Sequence, residues 1–304
     1  MNSKLIPTAV INPDAPVDCL EAKQPDIDNG TAIHDKSGYF SQEYMAREWD
    51  ELWTRSWLLA GVVSDLPHSG DYFLFRVRHE SFIISNTPEG VVAFYNVCPH
   101  RGSRLLSEER GNRKVFVCPF HSWSFTNGGA LRSITDEETF KPEVVSHRPS
   151  LKRARCEVHT GLIFINMDED AAPVGEELGL PEGYLENYQI DQMKVVRHVR
   201  SEWCSNWKVG VEAFYESYHL HAVHPETRGV MSDLNVQYDL YPKGASRMIV
   251  PLGQPSPRFP DQVTVNEGLQ FMLREAGVDP DAFSGTALDV RTAIQQGKRS
   301  RSQR

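Results

Sequence analysis

The chain is predicted to be an α+β protein, with a small antiparallel β domain over residues 57–166 followed by a mixed helix-and-strand domain over 167–304. Three observations lead there. β-rich runs with period-two alternation crowd residues 72–117 and return at 162–165, punctuated by turn residues. A polar stretch, Asp168-Glu169-Asp170-Ala171-Ala172-Pro173, then reads as a linker. Beyond it, apolar residues recur at three- and four-residue spacings over 207–218, and 265–276 and 287–296 also read as helices.

Residues 1–40, rich in Pro, Asp and Asn, read as an irregular arm that lies over the body or is partly mobile. Residues 41–56 predict an amphipathic helix: Ser41 can cap it, Glu43 sits in its first turn, and Met45, Trp49, Leu52, Trp53 and Trp57 form an aromatic face. Strands are expected at 72–78, with Phe73, Phe75 and Val77 on one face, then at 82–84, 91–94, 115–117 and 162–165. Pro88-Glu89-Gly90 makes a hairpin turn. In the second half, strands are expected at 194–200, 236–241 and 248–252. Pro251, Pro255, Pro257 and Pro260 mark a long irregular loop before the last two helices.

At 304 residues there is room for two cores, and the 40% hydrophobic and 24% charged content is that of a soluble globular protein. No apolar run reaches the roughly 18–20 residues of a membrane span, and the N-terminus lacks the apolar stretch of a secretory signal, so cytoplasmic residence is expected. A net charge of −9 argues against nucleic-acid binding, and the basic ending Lys298-Arg299-Ser300-Arg301-Ser302-Gln303-Arg304 reads as a solvated surface. Five cysteines, odd in number and widely spread, suit metal binding better than disulfides.

Two segments carry metal-ligand spacing. Cys98-Pro99-His100-Arg101-Gly102 and Cys118-Pro119-Phe120-His121-Ser122-Trp123 give C-x-H, seventeen residues, then C-x-x-H. Each loop offers one thiolate and one imidazole. A structural zinc site of the Cys₂His₂ kind is one reading. The other is a 2Fe–2S cluster with two cysteines on one iron and two histidines on the other, where neutral imidazole in place of thiolate raises the reduction potential. The motifs closely resemble those of the Rieske family, down to Cys-Pro-His-Arg-Gly and Trp123. By that resemblance Cys98, His100, Cys118 and His121 hold one Rieske-type cluster. The match departs at Ser122, where the family usually has glycine; a serine there is free to alter the loop or to add a hydrogen bond near sulfur.

Residues 212–224 hold three histidines and two carboxylates. On a helix Glu216 and His219 share a face, whereas His224 lies about 140° from His219 round an ideal helix. The two imidazoles converge only if the helix ends or bulges between them. Pro225 disfavours the helical state for His224, so a helix end is the natural reading. The segment from Asn206-Trp207-Lys208 to His224 resembles the catalytic helix of Rieske non-haem iron oxygenases. That resemblance makes His219 and His224 ligands of a mononuclear Fe(II), and Glu216 the acid that links this iron to a neighbouring subunit's cluster. The family more often has aspartate at that place, and His221 falls outside the ligand pattern.

The resemblance, running from about Trp57 onward, implies a terminal oxygenase alpha subunit. Its first domain would be an antiparallel Rieske domain and its second a helix-grip domain. It would take electrons from an NAD(P)H-dependent reductase, with or without a ferredoxin, and assemble as a homotrimer or α3β3. It would hydroxylate, dihydroxylate or demethylate a small, aromatic substrate. A Rieske electron carrier without oxygenation, or an inactive shortened paralogue, is the alternative. The resemblance also places a third, carboxylate iron ligand a hundred or more residues after the second histidine, whereas eighty residues follow His224 (304 − 224). The catalytic domain is therefore expected to be truncated. Asp279, Asp281 and Asp289 are the remaining carboxylates considered, and none is favoured as that ligand; Asp289 suits a helix cap.

Overall fold

The computed structural model describes residues 30–241 and 243–302, so the expected arm over residues 1–29 lies outside the described residues. The chain divides into two compact units. One is Ser41–Glu177 with Leu185–Ser201; the other combines Leu178–Tyr184 and Glu202–Arg304 with the segment that ends at Phe40.

In the first unit, helix α1 (Gln42–Glu48) starts where Ser41 Oγ accepts the Tyr44 amide at 3.2 Å, then tightens into a π-helical turn, Trp49–Trp53. The strands are β1 (Leu58–Val62), β2 (Asp71–Val77), β3 (Glu80–Thr87), β4 (Gly90–Tyr95), β5 (Arg110–Asn112), β6 (Val115–Val117), β7 (Ser124–Thr126), β8 (Leu131–Ser133), β9 (Arg153–His159) and β10 (Leu162–Asn166). Seven form one sheet in the order β1-β10-β9-β4-β3-β2-β5, antiparallel throughout, and β6-β7-β8 form a smaller one.

Alternation along the central strands buries both faces of the large sheet. Phe73, Phe82, Ile84 and Ala93 join Ile163 and Ile165 on one face. Leu74, Ile83 and Phe94 point the other way, into a core shared with Phe116, Phe125, Trp123, Cys98 and Cys118. Each fully buried Phe or Ile side chain contributes roughly 1.5–3 kcal/mol. Those residues clamp the small sheet, and the two cysteines with it, to the large one.

The second unit holds helices α2 (Trp207–Glu212) and α3 (Leu220–Val223), the hairpin β11 (Gln237–Leu240) and β12 (Ser246–Ile249), and helices α4 (Glu267–Glu275) and α5 (Val290–Ser302). Leu269 and Leu273, one turn apart on α4, pack with Ala287 and Val290 and are fully buried. The buried Asp239 pairs with Arg247 across the hairpin and accepts from Gln237 Nε2 at 2.8 Å.

Several expectations are corrected. Ser37–Phe40 is a short helix rather than irregular chain. The helix expected over 207–218 stops at Glu212. Residues 194–200 form no strand, because no neighbouring strand pairs with them among the described residues, and Val196 is 98% exposed. The basic ending is helical as far as Ser302, and Arg301 Nη1 donates to the Glu275 carbonyl at 2.8 Å. Among the described residues no helix is long and apolar enough to cross a membrane.

Candidate metal centres

The two Cys-His loops are built on one hydrogen-bond frame. The Cys98 amide donates to Ser103 O at 2.8 Å and the Gly102 amide to Cys98 O at 3.0 Å. Twenty residues on, the Cys118 amide donates to Trp123 O and the Ser122 amide to Cys118 O, at the same 2.8 and 3.0 Å. Gly102 and Ser122 hold matching left-handed conformations, φ 73° and 57°. The first loop leaves β4 after Tyr95, and the second bridges β6 and β7. The buried Asn96 anchors the chain beyond the first loop: its Oδ1 accepts the Leu105 and Leu106 amides, and its Nδ2 donates to Leu106 O at 2.8 Å.

This frame brings all four expected ligands together. The Cys98 and Cys118 thiols lie within hydrogen-bonding reach of each other, and the His100 and His121 rings are 4.7 Å apart. In each loop the amides two and three residues after the cysteine face its sulfur: His100 and Arg101 face Cys98, and Phe120 and His121 face Cys118. Burial raises the Cys98 thiol above its ordinary range. Burial also acts upward on Cys118, but its two amides, the Cys98 thiol and the hydroxyl of Ser103 outweigh it and favour the thiolate. Burial, with the charges of His121, Arg148 and Arg101 behind it, lowers His100 and keeps its imidazole neutral. His100 Nδ1 is shielded from solvent and has no hydrogen-bond partner, which is the condition of an open ligand position. A pair of cysteine sulfurs and a pair of imidazoles fit the unequal ends of a 2Fe–2S cluster.

Around the second motif the backbone departs from the expected continuous helix. Asn206 caps α2 by accepting the Lys208 amide at 3.0 Å and donates to Tyr39 O at 3.1 Å. The chain then leaves the helix because Ser217 is tied elsewhere: its amide donates to Tyr238 Oη at 3.1 Å and its hydroxyl to Asp233 O at 3.2 Å. Glu216 therefore sits on a loop, not on a shared helix face with His219. The two still meet. Glu216 Oε2 accepts the His219 amide at 3.0 Å, and Oε1 is in close hydrogen-bond contact with His219 Nδ1. Burial raises the Glu216 carboxyl, but the hydrogen bonds and charge of His219 outweigh it and hold Glu216 below the usual range. Helix α3 ends at Val223, and His224 turns out of it at φ −120°, ψ 63°, as Pro225 requires.

The His219 and His224 rings are thereby 5.4 Å apart. His224 Nδ1 faces Glu226 Oε1 at 3.3 Å. With each Nδ1 turned to a carboxylate, the Nε2 lone pairs remain for a metal, the usual carboxylate–histidine–metal arrangement. Glu226, unnoticed in the sequence, stands only two residues beyond His224, and that spacing was its one signal. His221 is not part of the pair: its Nδ1 is buried without a hydrogen bond, 4.0 Å from Asp233 Oδ2. Asp289 accepts the Thr286 amide and hydroxyl at 2.8 and 2.7 Å ahead of α5, and Asp279 accepts the Asp281 amide at 3.0 Å. No third carboxylate stands with His219 and His224 among the described residues.

Residues 56–148 match the Rieske [2Fe-2S] domain, and residues 190–275 match the catalytic domain of ring-hydroxylating alpha subunits. The chain is 34% identical over 196 residues to the carnitine monooxygenase oxygenase subunit of Acinetobacter baumannii, covering 62% of this chain and 51% of that one. It is 28% identical over 220 residues to the biphenyl 2,3-dioxygenase alpha subunit of Rhodococcus jostii, covering 70% and 48%. Among solved structures it resembles a quaternary ammonium Rieske monooxygenase bound to L-carnitine, with a TM-score of 0.57 and 30% identity over 67% of this chain and 61% of that one. The chain thus spans about half the length of the curated relatives it matches. The two matched domains imply a Rieske 2Fe–2S cluster and a mononuclear iron. Two like-framed Cys-His loops on an antiparallel β domain that matches the Rieske domain, followed by a match to the ring-hydroxylating catalytic domain, place this chain in the Rieske oxygenase alpha-subunit family.

Proposed function

We propose that this chain acts in a terminal oxygenase, with Cys98, His100, Cys118 and His121 holding the cluster and His219 and His224 holding iron. The observation that supports it most is the shared frame of the two loops, with paired thiols and a partnerless His100 Nδ1 between them. Bound there, the cluster supplies single electrons and the iron supplies dioxygen activation at a site with open positions. The chain's own work is to fix the ligands. Backbone amides favour thiolate at Cys118, burial keeps His100 neutral, and Glu216 engages Nδ1 of His219, leaving Nε2 for a metal. In a head-to-tail ring of protomers, a homotrimer or α3β3, Glu216 would link this iron to the neighbouring subunit's cluster. An NAD(P)H-dependent reductase would supply the electrons, and a reducing cytoplasm suits the free thiols.

The substrate we propose is a small trimethylammonium compound, because relatives and a solved structure that act on or bind carnitine match this chain at 30–34% identity. An aromatic hydrocarbon is the second reading, favoured by the biphenyl dioxygenase match. Iron, acid-labile sulfide and zinc analysis, with electron paramagnetic resonance of the reduced protein, tests the cluster. Turnover of carnitine, glycine betaine and biphenyl with NAD(P)H and a reductase tests the chemistry. Glu216→Gln is expected to leave the cluster's absorbance intact and to abolish reoxidation of the reduced cluster coupled to turnover. Zinc without sulfide would overturn the cluster, and a full cluster with no oxygenation of any substrate would favour an electron carrier.

A further inference from the structure

Trp123 closes the second cluster loop and is 2% exposed. The His100 ring stacks on it at 4.5 Å between centroids, 4° from parallel. Arg148, twenty-five residues on and outside both Cys-His motifs, places its guanidinium carbon 4.7 Å from the Trp123 centroid and 5.6 Å from that of Phe140. Two aromatic faces hold this half-buried cation, and no carboxylate pairs with it among the described residues. Its charge is therefore not cancelled locally. Arg148 and the His100 ring both pack against this buried indole, where a charge is less screened than in bulk solvent. Arg101 is nearer in sequence to the ligands but is exposed, where solvent damps its charge.

We infer that Arg148 is a positioning residue that raises the reduction potential of a cluster bound at His100, acting through the Trp123 stack. The inference rests on the reading that His100 is a cluster ligand. One-electron reduction breaks no bond and leaves one more negative charge on the cluster, which a nearby uncompensated cation stabilises. Removing the cation must lower the potential. Keeping the charge while losing the planar stack must preserve most of it.

The test is a potentiometric titration of the purified 304-residue chain, followed by the resonance of the reduced cluster, for wild type, Arg148→Met and Arg148→Lys. At a fixed poise Arg148→Met should lower the ratio of reduced to oxidised cluster about threefold to tenfold, equivalent to roughly 30–60 mV for a one-electron couple. Arg148→Lys should lower it by less than half that shift, with iron and sulfide content unchanged in both. A full cluster with wild-type potential in Arg148→Met would overturn the inference and leave the ligand reading standing. Equal shifts in the Met and Lys variants would overturn it as well, since packing and not charge would then be responsible. Should Arg148→Met lose its cluster, Arg148→Gln replaces it; loss in both while Arg148→Lys keeps it would show a structural residue and overturn the inference. A wild-type protein without sulfide or resonance would fail at the earlier step, the ligand reading itself.

Discussion

The paired loops make an internal experiment of their two left-handed residues. Ser122 holds φ 57° and its counterpart Gly102 holds φ 73°, in identical hydrogen-bond frames. A left-handed conformation costs an L-residue about 1–2 kcal/mol. Glycine gives back about 0.4–1 kcal/mol of this through the greater freedom of the unfolded chain. Ser122→Gly should therefore stabilise the folded protein by about 0.5–1 kcal/mol. Gly102→Ala should destabilise it by a similar amount. That second cost is purely a backbone one, because no atom lies within 4 Å of a Cβ added at Gly102. The Ser122 hydroxyl is exposed and forms no hydrogen bond among the described residues, so its removal forfeits nothing there. With a urea slope of about 3 kcal/mol/M, the midpoint for loss of the visible chromophore should rise by about 0.2–0.3 M in Ser122→Gly and fall by as much in Gly102→Ala. A lowered midpoint in Ser122→Gly beside a lowered one in Gly102→Ala would refute the reasoning, and would mean that the serine hydroxyl supports the loop.

Three further outcomes follow from described contacts. His100→Cys should keep a cluster chromophore but lower its reduction potential, because thiolate adds negative charge; an unchanged potential in a redox titration would remove His100 from the ligand set. Gly129→Ala should cost about 2–4 kcal/mol, since φ is 84° and the new Cβ would stand 2.2 Å from the buried Phe94 ring; denaturant midpoints and cluster yield measure it. Burial raises the Asp233 carboxyl, but Ser256 Oγ and Arg258 Nε, the latter at 2.7 Å, outweigh it and hold the group low. The stability Asp233 contributes is thus complete above its unfolded value near about 3.9 and is lost as pH falls through the lower folded value. Asp233→Asn should cost about 2–3 kcal/mol at pH 7 and progressively less in acid, which urea midpoints at about pH 7 and pH 3 would show.

The β domain was largely legible because its strands alternate cleanly. Phe82-Ile83-Ile84 and Val91-Val92-Ala93-Phe94 lie inside β3 and β4, and the hairpin turn falls at Pro88-Glu89. Strand β9 went unseen although Ala154, Cys156 and Val158 alternate with Arg, Glu and His. Its small and charged residues give a weak apolar signal, and only the neighbours β4 and β10 make it a strand. The opposite error arose at 194–200, where alternation exists without a partner. Cys-His spacing revealed the candidate ligands at once, since each motif is local. Ser103 at Cys118 and Arg148 on Trp123 were invisible, because both contacts join residues from separate segments of the chain. The break after Glu212 was equally hidden: nothing in Ala213–Ser217 disfavours a helix, and the cause is the tether of Ser217 to Tyr238 and Asp233.

One of the two Cys-His loops hangs from the seven-stranded sheet and the other belongs to the three-stranded one. A group bound by both is then a rivet between two plates. It closes a chain loop from Cys98 to Cys118 and limits the freedom of the unfolded chain much as a disulfide would. Ligand and fold become thermodynamically inseparable: whatever grips the metal also grips the interface of Phe94, Phe116 and Phe125. Loosening that aromatic interface would spread the sulfur and imidazole ends apart together, so a packing defect at a ring that binds nothing itself would register first as bleaching.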